Sequence, residues 1–190
     1  MPMQTKEKVR SQPSIYLSLT TPHMPAQAEF LHRLEEAIRS NGITPRSLGR
    51  SDWSFEAPLI PIRYHMSECS GAIVVAMTRT EVTSGIIYPG GDHERSLSDY
   101  FLSTVWVQIE AAMAFQLELP ILILREDKVS AEGILDPKNT GLEVRTFSLG
   151  DDSLIDPDFV EDLADFGSRV KAFEKRRLQK IQKIKSISVD

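Results

Sequence analysis

Trp106 and Glu110 stand four residues apart in Ser103-Thr104-Val105-Trp106-Val107-Gln108-Ile109-Glu110-Ala111-Ala112-Met113-Ala114, where Glu110 is the lone carboxylate in a largely apolar run. On a helix, positions i and i+4 share a face, so the two side chains can touch one common object. A carboxylate beside an aromatic ring suits cleavage at a sugar carbon that develops positive charge, because the carboxylate can stabilise that carbon or add to it. The same glutamate, read only as a charge at the head of a helix, is favoured by the helix dipole and needs no chemistry. Trp106 read alone is as well explained by core packing.

Other polar residues fall where a ligand would pass. Ser18, Thr20 and Thr21 follow the first apolar run and either satisfy a turn or contact a phosphate or ribose. Trp53, with Arg50 and Asp52, lies in a polar loop where an aromatic serves as a lid, an interface anchor or local packing. Thr78 leaves the second apolar run. Gly90-Gly91-Asp92-His93-Glu94 lacks a spaced partner ligand and reads as a flexible connection rather than a metal or phosphate loop. His23, His32 and His65 show no triad spacing, and Cys69 reads as buried and inert. One cysteine excludes an intramolecular disulfide and, with four histidines, argues against a dedicated zinc site.

These residues need a scaffold, and the chain has the size for one. At 190 residues it is expected to build a single domain around one good core. Hydrophobic residues make up 41% and charged residues 26%, an ordinary balance for a globular protein. A net charge of -5 does not advertise nucleic-acid binding. No apolar run approaches the roughly 20 residues that span a bilayer, and the polar start of the chain lacks a signal-peptide core. A cytoplasmic protein without membrane contact is expected.

The elements alternate. Residues 1–13 are expected to be loose, and Ser14 to Leu19 reads as a short buried strand. Ala26 to Asn41 places Phe30, Leu31, Leu34, Ala37 and Ile38 on one helical face, closed by Asn41-Gly42. After a loop from Pro45 to Pro61, a short helix spans Pro61 to Cys69 and an apolar strand spans Gly71 to Met77. Thr78 to Asp99 reads as a long polar connection, of a length that is usually functional. The Glu110 helix follows, then a buried strand at Ile121 to Leu124 and an alternating edge strand over Leu142 to Leu149. From about Asp158 a long helix runs from acidic to basic, as its dipole favours. Its basic end, Lys175 to Lys185, reads as a solvated helix face. The order predicts an α/β flavodoxin-like sandwich with a mostly parallel sheet of about five strands. Ligands in such sheets bind at the carboxyl ends of the strands. The expected rim comprises Ser18 to Thr21, the loop around Arg50 to Phe55, Met77-Thr78-Arg79 and the start of the Glu110 helix.

Over residues 14 to 150 this order resembles a Toll/interleukin-1 receptor (TIR) domain. Ile15-Tyr16-Leu17-Ser18 is similar to the opening TIR strand, and Ile62 to Cys69 followed by Gly71 to Ala76 to the helix and strand at its middle. Tyr100 to Glu110 resembles the family's aromatic-Leu-x-Ser-x-Trp-Cys-x-x-Glu pattern, with Val107 standing where the family has cysteine. The resemblance implies a stand-alone bacterial TIR protein that cleaves NAD, with Glu110 as catalytic carboxylate. Ser18, Thr20, Thr21, Trp53, Thr78 and Trp106 would contact the substrate. NAD would be substrate rather than cofactor, and no other cofactor or metal is implied. Self-assembly through TIR surfaces, a separate effector protein and a place in antiphage defence would follow from the same resemblance. Nucleoside 2-deoxyribosyltransferases are similar in architecture, although Trp106 and Val107 occupy the Gly-Thr positions of their Asp-x-Gly-Thr-x-x-Glu lead-in. That transferase and a non-catalytic TIR assembly module remain as other readings.

Overall fold

A computed structural model describes residues 12–48, 57, 59–150, 154 and 156–187. In chain order the strands are β1 Ser14–Leu19, β2 Thr44–Arg46, β3 Ala72–Ala76, β4 Thr80–Val82, β5 Gly85–Ile87, β6 Arg95–Leu97, β7 Tyr100–Leu102, β8 Ile121–Glu126 and β9 Val144–Phe147. The helices are α1 Pro25–Ser40, α2 Leu59–Glu68, α3 Val105–Gln116, the single turn α4 Pro137–Thr140, and α5 Pro157–Ile187. Five strands form one parallel sheet in the order β2-β1-β3-β8-β9. This is the flavodoxin-like order, with its topological switch between β1 and β3. The fold is therefore the expected α/β sandwich with a long C-terminal helix.

Strand periodicity divides the core into two. Ile15 and Leu17 of β1, Ile73 and Val75 of β3, and Leu122 and Leu124 of β8 pack under α1 and the first half of α5. From α1 come Phe30, Leu31, Leu34 and Ile38, and from α5 Phe159, Leu163, Phe166 and Val170. The alternate residues Tyr16, Ala72, Val74, Ala76, Ile121 and Ile123 face α2 and α3. There the sheet offers small residues at Ala72 and Ala76, and α3 answers with Val107, Ala111 and Ala114. Small side chains on both surfaces let α3 lie close to the sheet, and Glu110 travels with it.

Contacts at Gly71 and Arg177 help to fix α5 to the body. Gly71 has no room for a side chain, since an added Cβ would lie 2.7 Å from Val170 Cγ2 and 3.3 Å from the Pro120 carbonyl. Arg177 donates to the carbonyls of Ser67, Glu68 and Cys69 at 3.3, 2.9 and 3.1 Å, and so satisfies the end of α2. Beyond it Leu178, Ile181 and Ile184 are exposed. Cys69 is buried, as expected.

The segment read as a polar connection differs from expectation. Thr80–Val82 pairs antiparallel with Tyr100–Leu102, and Gly85–Ile87 with Arg95–Leu97. The two ladders follow each other along one interrupted hairpin, whose tip holds Gly90 to Glu94. Asp99 at φ 51° marks the interruption and Tyr88 at φ 55° the tip. Each strand is three residues long and none of its residues is fully buried, so the run is too short and too open for apolar alternation to announce it. Among the described residues no helix is long and apolar enough to cross a membrane.

Candidate functional site

The site is assembled where β1, β3 and α3 meet at the carboxyl edge of the sheet. Thr104 is the N-cap of α3, and its hydroxyl accepts from the Trp106 N–H at 3.4 Å. The hairpin returns beside the exit of β3, where the Arg79 N–H donates to the Leu102 carbonyl at 2.8 Å. The hairpin therefore sets where α3 begins. Glu110 is the sixth residue of α3, in its second turn. It lies beyond the first-turn groups through which the helix dipole mainly acts on a carboxylate.

Glu110 and Trp106 line one cleft of about 590 Å³, together with Thr21, His23, Arg79 and Thr104. Leu19, Leu48 and Ile62 supply apolar wall. Glu110 also borders a smaller hollow of about 210 Å³ with Tyr16, Thr21 and Ser47. Trp106 is 40% exposed, so its ring belongs to the cleft wall rather than to the core. Glu110 is half-buried, and desolvation raises its pKa above the usual carboxylate value. The Ser18 and Tyr16 hydroxyls act in the opposite sense and favour the charged form. Both come from alternate positions of β1, the face that looks at α3. Ser18 is 1% exposed, and its hydroxyl closes no full hydrogen bond. A carboxylate held this way is poised to meet a positive centre.

The other expected contacts divide. Thr21 lines both cavities. Thr20 does not reach them: its side chain is fully buried, its hydroxyl shares a 2.8 Å bond with Ser103 and accepts from the Met77 N–H at 3.3 Å. It fastens the ends of β1 and β3 to the lead-in of α3, which is a structural use. Thr78 likewise is not on the cleft wall. Its N–H donates to Glu126 at 2.7 Å and its carbonyl accepts from Gln27 at 2.9 Å, which turns the chain so that the next residue, Arg79, enters the cleft. Trp53, Arg50 and Asp52 lie outside the described residues. Tyr16, His23, Arg79 and Thr104 were not among the candidate contacts. Period two from Ser18 would have found Tyr16, and a threonine heading an apolar helix would have found Thr104. Arg79 lay on the expected rim, in Met77-Thr78-Arg79, without being singled out as a contact, and His23 is a single polar residue in a connection that carries no local signal. Among the described residues no group of three or more His, Cys, Asp or Glu side chains is placed to hold a metal.

No protein-family model matches the chain, and no curated protein matches it. Solved structures similar in shape include a CMP N-glycosidase from Clostridium botulinum, at 12% identity over 79% of this chain and 96% of that one, with a TM-score of 0.44. A diflavin flavoprotein A3 from Nostoc shows 10% identity over 90% of this chain and 99% of that one, with a TM-score of 0.46. The Flv1 flavodiiron core from Synechocystis shows 10% identity and a TM-score of 0.46, with 88% of this chain matched to 37% of that one. Likenesses this distant carry no functional argument, and the functional reading rests on the cleft.

Proposed function

We propose that this protein is a TIR-like enzyme that breaks the N-glycosidic bond of NAD, with Glu110 as the reacting carboxylate. The observation that carries the proposal is the setting of Glu110: half-buried in a cleft at the carboxyl ends of the strands, backed by two hydroxyls, one helical turn from an exposed indole. In NAD the nicotinamide nitrogen is cationic. When the C1′–N bond breaks, the electron pair goes to that nitrogen and the base leaves neutral, so no general acid is needed. Positive charge develops at C1′ and the ring oxygen, and the Glu110 carboxylate stabilises it or bonds to C1′. Water then adds to C1′ and gives up a proton, leaving ADP-ribose; attack by a hydroxyl or base nitrogen of the same molecule gives a cyclic product instead. Trp106 offers a face for ring stacking beside the ribose.

The raised pKa of Glu110 supports this reading, because a partly desolvated carboxylate meets the developing cation with little competing water. The test compares concentrated wild-type and Glu110→Gln protein, with and without a crowding agent, on NAD and on a deoxynucleoside plus free base. Nicotinamide release that falls at least about 100-fold in the variant is expected. Base exchange without loss of NAD would move the protein to the deoxyribosyl transferases. Full release by Glu110→Gln would overturn the assignment.

A further inference from the structure

Arg79 lines the cleft and has no carboxylate partner among the described residues. Its position is nevertheless fixed at two points. Its main-chain N–H bonds to Leu102, and its Nη1 donates to Thr104 Oγ1 at 3.2 Å. The guanidinium is therefore held at the start of α3, with the rest of its donor fork unclaimed. Glu110 lies on the same helix and lines the same cleft. The cleft thus brings together a guanidinium, Arg79, and a carboxyl group, Glu110, with Trp106 also lining it.

We infer that Arg79 binds a phosphate on the 5′ oxygen of the same pentose whose C1′ faces Glu110, so that the substrate is a nucleotide and not a free nucleoside. The inference rests on the reading of Glu110 given above and adds the substrate class. A pentose 5′-phosphate presents the complementary pair: positive charge developing at C1′, fixed negative charge at the other end. A planar fork of N–H donors suits phosphate oxygens, which can be taken two at a time. Among the described residues its side-chain partner is a threonine hydroxyl and no carboxylate, and it lines the cleft. NAD carries such a phosphate as part of its diphosphate, and nucleoside monophosphates carry it alone.

The experiment uses matched pairs that differ only in the phosphate: nicotinamide mononucleotide against nicotinamide riboside, and thymidine 5′-monophosphate against thymidine. Binding is measured by calorimetry on the full chain carrying Glu110→Gln, so that the result does not depend on turnover. The phosphorylated member of at least one pair should bind roughly 10- to 100-fold more tightly, the range of a charge-assisted hydrogen bond. Adding Arg79→Gln should remove that preference while leaving the unphosphorylated member unchanged, and Arg79→Lys should restore part of it. Equal binding within both pairs, no binding by any of the four, or a preference that survives Arg79→Gln would overturn the inference. Phosphate-dependent binding in a protein whose wild type cleaves none of the four, nor NAD, would uphold the Arg79 site and count against the glycosidic reading instead.

Discussion

Glu110 is the side chain on which the proposed chemistry depends. Its pKa is raised because burial penalises the charged form more than the Tyr16 and Ser18 hydroxyls favour it. If the reaction needs the carboxylate, activity falls as pH drops through this pKa, and the acid limb lies above the ordinary glutamate value of about 4.3. Tyr16→Phe removes a group that favours the charged form, so it should move that midpoint further up. A pH–rate profile of the two proteins checks the direction. Stability follows the same linkage with its own sign. The folded state holds the Glu110 proton more tightly than the unfolded chain, so its contribution is most favourable below the unfolded pKa and is lost as pH rises through the folded one. Glu110→Gln, which carries no charge, should therefore melt higher than wild type at neutral pH, with the difference shrinking in acid. Thermal denaturation at both pH values measures it. A variant that melts lower at neutral pH would mean that the carboxylate is a structural anchor.

At the scale of elements, the site depends on how closely α3 approaches the sheet, and stability on how closely α5 does on the other face. Gly71 gives the sharpest test, because an added methyl would meet Val170 and the Pro120 carbonyl together. Gly71→Ala should destabilise the protein by about 1–3 kcal/mol, the range for overpacking a core, and leave the cleavage rate per folded molecule unchanged. Urea unfolding and the specific rate measure the two parts. These packed elements were the legible ones. Ser14 to Leu19, Gly71 to Met77 and Ile121 to Leu124 announce strands by apolar runs buried on both faces, and Phe30, Leu31, Leu34 and Ile38 announce α1 by helical spacing. The interrupted hairpin was not legible, since each of its strands is only three residues long and its ladders close by cross-strand hydrogen bonds with no buried residue to mark a core face. The cleft was half legible for the same reason. Glu110, Trp106 and Thr21 follow from helix spacing and from the carboxyl-edge rule for parallel sheets. Arg79 enters the cleft because Thr78 is turned by Gln27 and Glu126, contacts made across 51 and 48 residues of chain. The carboxyl-edge rule put Met77-Thr78-Arg79 on the rim, but no local pattern says which of the three faces the cleft. Thr20 bonds Ser103 and the Met77 N–H, and a hydroxyl at a strand end looks alike in sequence whether it faces a ligand or the neighbouring backbone.

Over the whole molecule, stability and function occupy different places. The two cores lie within the sheet sandwich, the cleft lies at its carboxyl edge, and the last turns of α5 carry neither. Leu178, Ile181 and Ile184 are 48, 42 and 67% exposed, with Arg176, Lys180 and Lys183 exposed among them. Ending the chain after Arg177 should shift unfolding by no more than about 0.5 kcal/mol, as for surface changes in general. A larger loss would mean that this stripe is packed in the working form of the protein, and sedimentation of both lengths would show whether a second copy covers it. The assignment of Glu110 is decided most directly by one titration carried out alongside a turnover assay. Glu110→Gln protein is titrated with NAD by calorimetry, and nicotinamide is measured in the same cell after incubation. The prediction is binding as tight as that of the wild type with no nicotinamide released, while the wild type releases it. Binding with undiminished release would contradict a catalytic role for Glu110.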